Sequence, residues 1–418
     1  MPKSTSKPLA RHGQLRHTHP WVTVVKFFAA SIAVVAVSAG SIAAAAIWNV
    51  ASGAKPGVDL IPNSGGPPPA LSAAEGEINV LVAASDSGGG DVATYGKRGE
   101  HLNDVTMLLH VSADHKRATV ISFPRDLIVP IASCPNGKGG NYPAQTNKIN
   151  TALTYGGLPC IVKTVENLTG MTIPYAALTE FQGVVGMSNA VGGVTVCVAT
   201  AIHDQQIGFN LAAGQQTLVG EQAVQFLRVR YGIGDGSDLG RVSNQQLFLS
   251  ALVRKIKTPE TLGNPVKDYE LAKAVAKNMT LSSSLSNIST MASMALAVKD
   301  ISFDKVVFVQ YPNAYGSRNG LEGVLPITSA ANTLFTAIKA DQPIALTGTT
   351  GVGTEVDPNS PTPTPSEPAA PAPGATPLPG ATPLPGATGS ATVKLPSTVH
   401  GQTAAEQTCS KGQRAGGH

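Results

Sequence analysis

Ile121-Ser122-Phe123-Pro124-Arg125-Asp126 decides the fold class. A β-prone run over residues 117–123 stops at a proline, which has no N–H to offer a central strand, so the strand ends there. A guanidinium and a carboxylate follow at once, and strand ends are where open α/β sheets place their ligand sites. The same texture recurs on either side. Residues 78–84 read as a buried strand running out into Ser85-Asp86-Ser87-Gly88-Gly89-Gly90. Residues 105–111 and 118–123 form a hairpin across the polar turn Ala113-Asp114-His115-Lys116. Helical patterns cover 149–155 up to Gly156-Gly157, 161–168 up to Thr169-Gly170, 221–227 and 245–257, with further strands at 194–198 and 305–310. Strands and helices interleave without strict βαβ repetition, which predicts an α/β/α sandwich with a mixed central β-sheet over residues 77–345.

Outside this core the composition changes. Residues 1–26 are basic and polar, and residues 27–48 carry no charge and lie between the only two tryptophans, Trp21 and Trp48. Roughly 20 apolar residues span a bilayer core, so 27–48 predicts a transmembrane signal anchor with the N-terminus inside and the rest of the chain outside. A cleaved signal peptide is the rival, because Ala51-Ser52-Gly53-Ala54 follows; the apolar run exceeds the usual length of such a peptide, which favours the anchor. Residues 49–76 read as a Pro/Gly linker. Residues 346–418 read as a Pro/Thr/Ala-rich disordered tail, in which Pro373-Gly374-Ala375-Thr376-Pro377-Leu378 recurs from Pro379.

The net charge of +4 comes from scattered basic residues with few aromatics, which is no nucleic-acid footprint. Cys134, Cys160, Cys197 and Cys409 contain no CxxC pair, so they point to disulfides rather than zinc. A Cys134–Cys160 bridge would close the Gly/Asn-rich loop between them. The plain reading of Cys197, inside Val194-Thr195-Val196-Cys197-Val198, is a buried free thiol.

Chemistry is carried by a second stretch a hundred residues on. Arg228-Val229-Arg230 leads to Ser237-Asp238-Leu239-Gly240-Arg241, with Gln245 and Gln246 beyond. Ser237 reads as a helix N-cap, which puts Asp238, Arg241 and Gln245 on one face. Arg228 and Arg230, two apart in an extended segment, would point the same way, so with Arg125 and Arg241 four guanidiniums would converge. Guanidinium forks match phosphate bidentately and stay charged, and a pyrophosphate suits such a cluster. Asp86 and Asp104, at strand termini, would hold Mg²⁺ (or Mn²⁺) together with phosphate oxygens. The bland readings are a solvated helix end for Arg228 and Arg230, a surface pair for Asp238–Arg241, and turn chemistry for Asp86.

Asp86, Asn103-Asp104, Ser122-Phe123-Pro124-Arg125-Asp126, Lys148-Ile149-Asn150 with Gly156-Gly157, Gly192-Gly193-Val194, Phe226-Leu227-Arg228-Val229-Arg230 and Ser237-Asp238-Leu239-Gly240-Arg241 occur in one order. In that order the chain resembles the LytR–CpsA–Psr family of bacterial cell-wall glycopolymer ligases, over about residues 77–345. The resemblance implies a membrane-anchored phosphotransferase, with a pyrophosphatase-like side activity. It would move a glycopolymer from a polyprenyl-pyrophosphate carrier to a peptidoglycan hydroxyl, leaving a phosphodiester and releasing polyprenyl phosphate. It also implies that Arg125, Arg228, Arg230 and Arg241, helped by Gln245, hold the pyrophosphate. Asp86 and Asp104 serve the metal, and Asp126 or Asp238 orients arginines or assists the incoming hydroxyl. An apolar pocket between sheet and helices would take the prenyl chain. Two positions depart from the family pattern. The arginine expected just before Asp104 is replaced by His101 and Leu102, so either Arg98 reaches in or His101 substitutes, and Asn244 stands where a second arginine is frequent. Two other classes of function compete: an idle anchored binder of anionic glycolipid or wall polymer, and a membrane-bound regulator, for which the short N-terminal segment is too small to fold as a DNA-reading domain.

Overall fold

The computed structural model describes residues 38, 41, 44–61, 76–85, 101–358 and 391–413. The chain divides into two units, 1–52 and 53–418. In the first, the described residues 38, 41 and 44–52 are helical. The expected anchor at 27–48 lies largely outside the described residues, and among these no helix is long and apolar enough to cross a membrane.

In the second unit the strands of the two larger sheets are β1 Ile78–Ser85, β2 Asn103–Val111, β3 Ala118–Phe123, β4 Tyr175–Thr179, β5 Val194–Thr200, β6 Gly214–Leu218, β7 Met279–Leu281, β8 Val306–Gln310, β9 Thr354–Val356, β10 Gly401–Thr403 and β11 Thr408–Lys411, with shorter two-stranded ribbons between them. The helices are α1 Ala152–Thr169, α2 Phe181–Ala190, α3 Glu221–Arg228, α4 Asp238–Ile256, α5 Pro265–Asn278, α6 Ile288–Val298 and α7 Thr328–Lys339. The central sheet has the order β7-β4-β1-β2-β3-β8-β10. It is mixed: β1–β4 and β3–β8 are parallel, while β1–β2, β2–β3, β4–β7 and β8–β10 are antiparallel.

Alternation along the strands covers both faces. Leu81, Ala83, Ile121 and Phe123 face one core, closed by Ile161 and Val165 of α1 and Leu334 and Phe335 of α7. Ile78, Val80, Ala118 and Val120 face another, closed by Leu249 and Val253 of α4, Val275 of α5 and Met291 and Met294 of α6. Period-two burial on both sides of one sheet gives the three layers. α1 is two helical pieces merged across a kink at Gly156 and Gly157, with Pro159 opening the second piece, as the glycine pair in the sequence suggests.

A second sheet, β6-β5-β11-β9, packs on α3 and α4 through Val194, Val196, Val198, Phe226, Leu247 and Phe248. It corrects the expected disordered tail. Residues 346–358 and 391–413 are built into the domain: β10 is an edge strand of the central sheet and β11 lies between β5 and β9. Apolar composition explains it, since Leu395, Val399, Ala404 and Cys409 are buried. The repeat itself, within 359–390, lies outside the described residues. The linker reading is corrected in part as well. Val58 bridges to Ser282, and Leu60 packs against the core shared by α1 and α7. Both cysteine pairs are closed. Cys134–Cys160 is as expected, but Cys197 is no free thiol, because it is bonded to Cys409, 212 residues away.

Candidate active site

The strand end at Pro124 delivers Arg125 to a carboxylate on the neighbouring strand. Arg125 Nη1 donates to Asp104 Oδ1 at 2.6 Å, and its Nε lies 3.2 Å from Asp238 Oδ1. Asp238 opens α4, where Ser237 caps the helix by accepting from the Gly240 N–H. One turn on, Arg241 Nη2 approaches Asp238 Oδ1 at 2.5 Å and its Nη1 lies 3.7 Å from Asp104 Oδ1. Two guanidiniums and two carboxylates therefore alternate around a closed ring. Asp126 Oδ1 adds Lys148 at 3.1 Å, with Arg125 Nε 3.8 Å from its other oxygen.

The ring is far from a surface ion pair. Arg241 and Asp238 side chains are 6% and 8% exposed, while Asp104 and Arg125 at 17% and 23%, and Asp126 and Lys148 at 20% and 32%, lie on the side open to solvent. Burial alone would lower the Arg125 pKa, but Asp104 and Asp238 more than offset it and raise it. Removing one member of such a buried set leaves an uncompensated charge, which costs about 3–5 kcal/mol. Gln246 Nε2, donating to Ser122 Oγ at 3.1 Å, ties α4 to the end of β3 and fixes the two halves of the ring together.

Of the four arginines expected to converge, the ring itself holds Arg125 and Arg241. Arg228 closes α3 rather than lying in an extended segment, and its guanidinium sits 4.8 Å above the Phe181 ring. Arg230 stacks at 5.0 Å on Tyr231 and donates from Nε to Gly236 O at 3.3 Å. Gln245 is not on a ligand-facing surface. It is 4% exposed and donates to Leu227 O, on α3, at 3.2 Å. Asn244, in the place of a frequent arginine, is fully buried and donates to Phe226 O at 2.9 Å. His101 is exposed, with its carbonyl accepting from Thr154 Oγ1 at 2.7 Å, while Asp86 and Arg98 lie outside the described residues.

Two neighbours escaped the site assignment. Lys148 sits inside a quoted motif, yet nothing in its spacing ties it to Asp126. Tyr315 lies 62% exposed on the hairpin strand Asn313–Arg318, where partial burial raises the pKa of its phenol.

As to metal, the only described group of three potential ligands is Cys197, Cys409 and Asp357, whose sulfurs are joined to each other. In the ring, Asp104 is a carboxylate of the hard-oxygen type that divalent cations prefer, and its Oδ1 is engaged by Arg125 and Arg241.

The chain is 31% identical over 237 residues to the cell wall biosynthesis protein LcpA of Corynebacterium glutamicum, covering 50% of this chain and 46% of that protein. It is 28% identical to TagU of Enterococcus faecalis, a polyisoprenyl-teichoic acid–peptidoglycan teichoic acid transferase, over 57% of this chain and 67% of that one. The chain spans about half the length of the corynebacterial relatives it matches. Its fold is shared with a solved Streptococcus agalactiae protein at a TM-score of 0.54 and 22% identity, over 63% of this chain and 87% of that one. It is shared too with a LytR-Csp2A-Psr enzyme from Actinomyces oris, at a TM-score of 0.50 and 21% identity, over 68% and 96%. With the strand-end Arg125-Asp126 and the capped Asp238–Arg241 turn meeting in one ring, and with the family model matching residues 53–339, the chain belongs to the LytR_cpsA_psr family.

Proposed function

We propose that the protein is a phosphotransferase of the cell wall, moving a glycopolymer from a polyprenyl-pyrophosphate carrier to a peptidoglycan hydroxyl. The observation that carries this reading is the ring of Arg125, Arg241, Asp104 and Asp238, buried on its Asp238–Arg241 side and partly exposed at Asp104 and Arg125, supported by family membership. Rigid guanidinium forks aimed at one place stabilise charge that develops on a phosphate without reorganising at the moment of reaction. The acceptor hydroxyl oxygen forms a bond to the phosphorus bearing the glycan, and the bridging P–O–P bond breaks. Polyprenyl phosphate leaves with the electron pair, and the hydroxyl proton passes to a carboxylate. Asp126 suits that role better than Asp238, because Asp238 is shared by two arginines while Asp126 faces the solvent side with Lys148 beside it.

The charges support a metal partner. Arg125, Arg241 and Lys148 balance Asp104, Asp126 and Asp238, so an added pyrophosphate needs further positive charge. Arg228 and Arg230 lie on elements adjoining α4 and are suited to supply part of it. Mg²⁺ at Asp104, with Asp86, would supply the rest and neutralise the leaving phosphate. A membrane anchor at 27–48, with the catalytic domain outside, would bring the ring to a lipid-borne substrate.

The test is release of polyprenyl phosphate from a short-chain polyprenyl-pyrophosphate glycan by the full chain, wild type beside Arg125→Ala, with and without Mg²⁺. Release that needs both Arg125 and metal supports the reading. Binding of the lipid without release, across several metals and with peptidoglycan fragments supplied, would instead make the protein an idle binder.

A further inference from the structure

We propose that residues 408–413 act as a strap that positions the arginine loop 230–237 and the first turn of α4, so that the site is complete only when the strap is docked. The inference rests on the phosphotransfer reading for its functional half and on contacts alone for its structural half. The strap lies beyond residues 53–339, which the family model matches.

The contacts run in one direction, toward the site. β11 pairs in parallel with β5 and antiparallel with β9, so it is an inner strand of its sheet, and Cys409–Cys197 bonds it to β5. At the end of the strand Lys411 O accepts from Gly234 N at 2.8 Å, and just beyond it Gln413 N donates to Gly232 O at 2.8 Å. Those bonds seize the arginine loop from one side. Asp204, buried in the connection from β5 to β6, holds it as well, its Oδ2 accepting from the backbone N–H groups of Arg230 and Tyr231 at 3.0 Å each. Ser410 Oγ donates to Asn244 Oδ1 at 2.6 Å, and Asn244 passes the link on to Phe226 O, two residues before Arg228.

Backbone proximity reinforces this. A Cβ on Gly412 would stand 2.1 Å from Ala201 O. A Cβ on Gly353, whose carbonyl accepts from Lys411 N, would stand 2.2 Å from Gly240 O in the capping turn of α4. No side chain fits at either contact. Buried hydrogen bonds held at that spacing transmit position, because leaving a buried donor unpaired is costly. Asn244 therefore has a part to play in place of arginine: it is the receptor for the strap. Ser410 and Asn244 are positioning residues, since neither belongs to the ring.

The experiment uses the full chain with a protease site placed within 359–390, in a Cys197→Ser/Cys409→Ser background that leaves Cys134–Cys160 intact. Cleavage then frees the strap, whereas cleavage of the otherwise wild-type chain leaves it tethered by the disulfide. Hydrogen exchange is followed in 230–244 and in α1, inorganic pyrophosphate binding is measured by calorimetry, and a synthetic peptide of residues 391–418 is added back. Freeing the strap should speed exchange in 230–244 and weaken pyrophosphate binding by about tenfold or more, with α1 unchanged and the peptide reversing both effects. Unchanged exchange in 230–244, or an equal rise in α1, overturns the strap as a positioning element. Failure of the uncut, disulfide-bonded chain to bind pyrophosphate overturns the phosphotransfer reading alone, since exchange decides the strap by itself.

Discussion

Arg125 and Arg241 are locked between carboxylates, whereas Arg228 and Arg230 lie on aromatic rings. The difference separates two uses of one side chain. A guanidinium between two buried acids has its geometry set before any ligand arrives, and its charge is already balanced. A guanidinium over a ring face is held by the quadrupole of the ring and keeps its edge in another direction. On the proposed function, the first pair meets the phosphate in a fixed geometry and the second adds charge from the neighbouring elements.

The comparison is broken most directly at Asp238. Asp238→Ala leaves Arg125 and Arg241 facing each other and should cost about 3–5 kcal/mol in chemical denaturation. A loss below 1 kcal/mol would mean that the ring is not a buried charge set. Arg125→Ala should lower kcat/KM by about 10²–10³, the usual effect of losing one preorganised donor. Lys273, an exposed lysine on α5, is the control, and equal effects at both positions would remove Arg125 from the site.

The pH response of the fold can be separated from that of the ring at His110. Burial holds this imidazole at a pKa of about 4, with Nδ1 donating to Asn79 Oδ1 at 2.8 Å. Between the ordinary value of 6.5 and about 4, the unfolded chain binds the proton that the folded chain refuses. The associated stability is therefore full above the upper value and falls as pH drops through the window, by about 3 kcal/mol in all. His110→Gln should flatten that slope in melts taken at pH 7, 5.5 and 4. An unaltered slope would place the acid sensitivity in the ring instead. The smallest effect is expected at the stacked pair. Arg228→Ala or Arg230→Ala should weaken pyrophosphate binding by about tenfold while shifting the melting temperature little, since stacking contributes about 0.5–2 kcal/mol. A large loss of stability there would place these arginines with the locked pair.

Much of the domain was legible because its signals are local. Pro124 ends β3, Ser237 caps α4, and Gly156-Gly157 breaks α1, each through backbone chemistry that needs no partner. Asp238 and Arg241 sit one turn apart, so their pairing follows from helix geometry. The illegible parts depend on distance. Gln245 points to α3 because of how two helices cross, and the ring stacking of Arg228 needs Phe181 from another element. Residues 391–413 were read by the company they keep, a proline-rich repeat, although Val393, Leu395, Val399 and Cys409 are apolar enough for a core. Lys148 was quoted within a motif and left without a role, since only the fold brings it to Asp126.

An inner strand supplied by residues 408–411 also sets an order of assembly. β5 and β9 have no common neighbour until β11 is made, and β11 follows every other strand of both sheets along the chain. A chain emerging from synthesis can close its central hairpin early, but the second sheet awaits a contact of very long sequence separation, which is slow to form. The protein therefore should become competent only once this late segment has been delivered, and a premature stop between α7 and β11 would release a domain without its clamp.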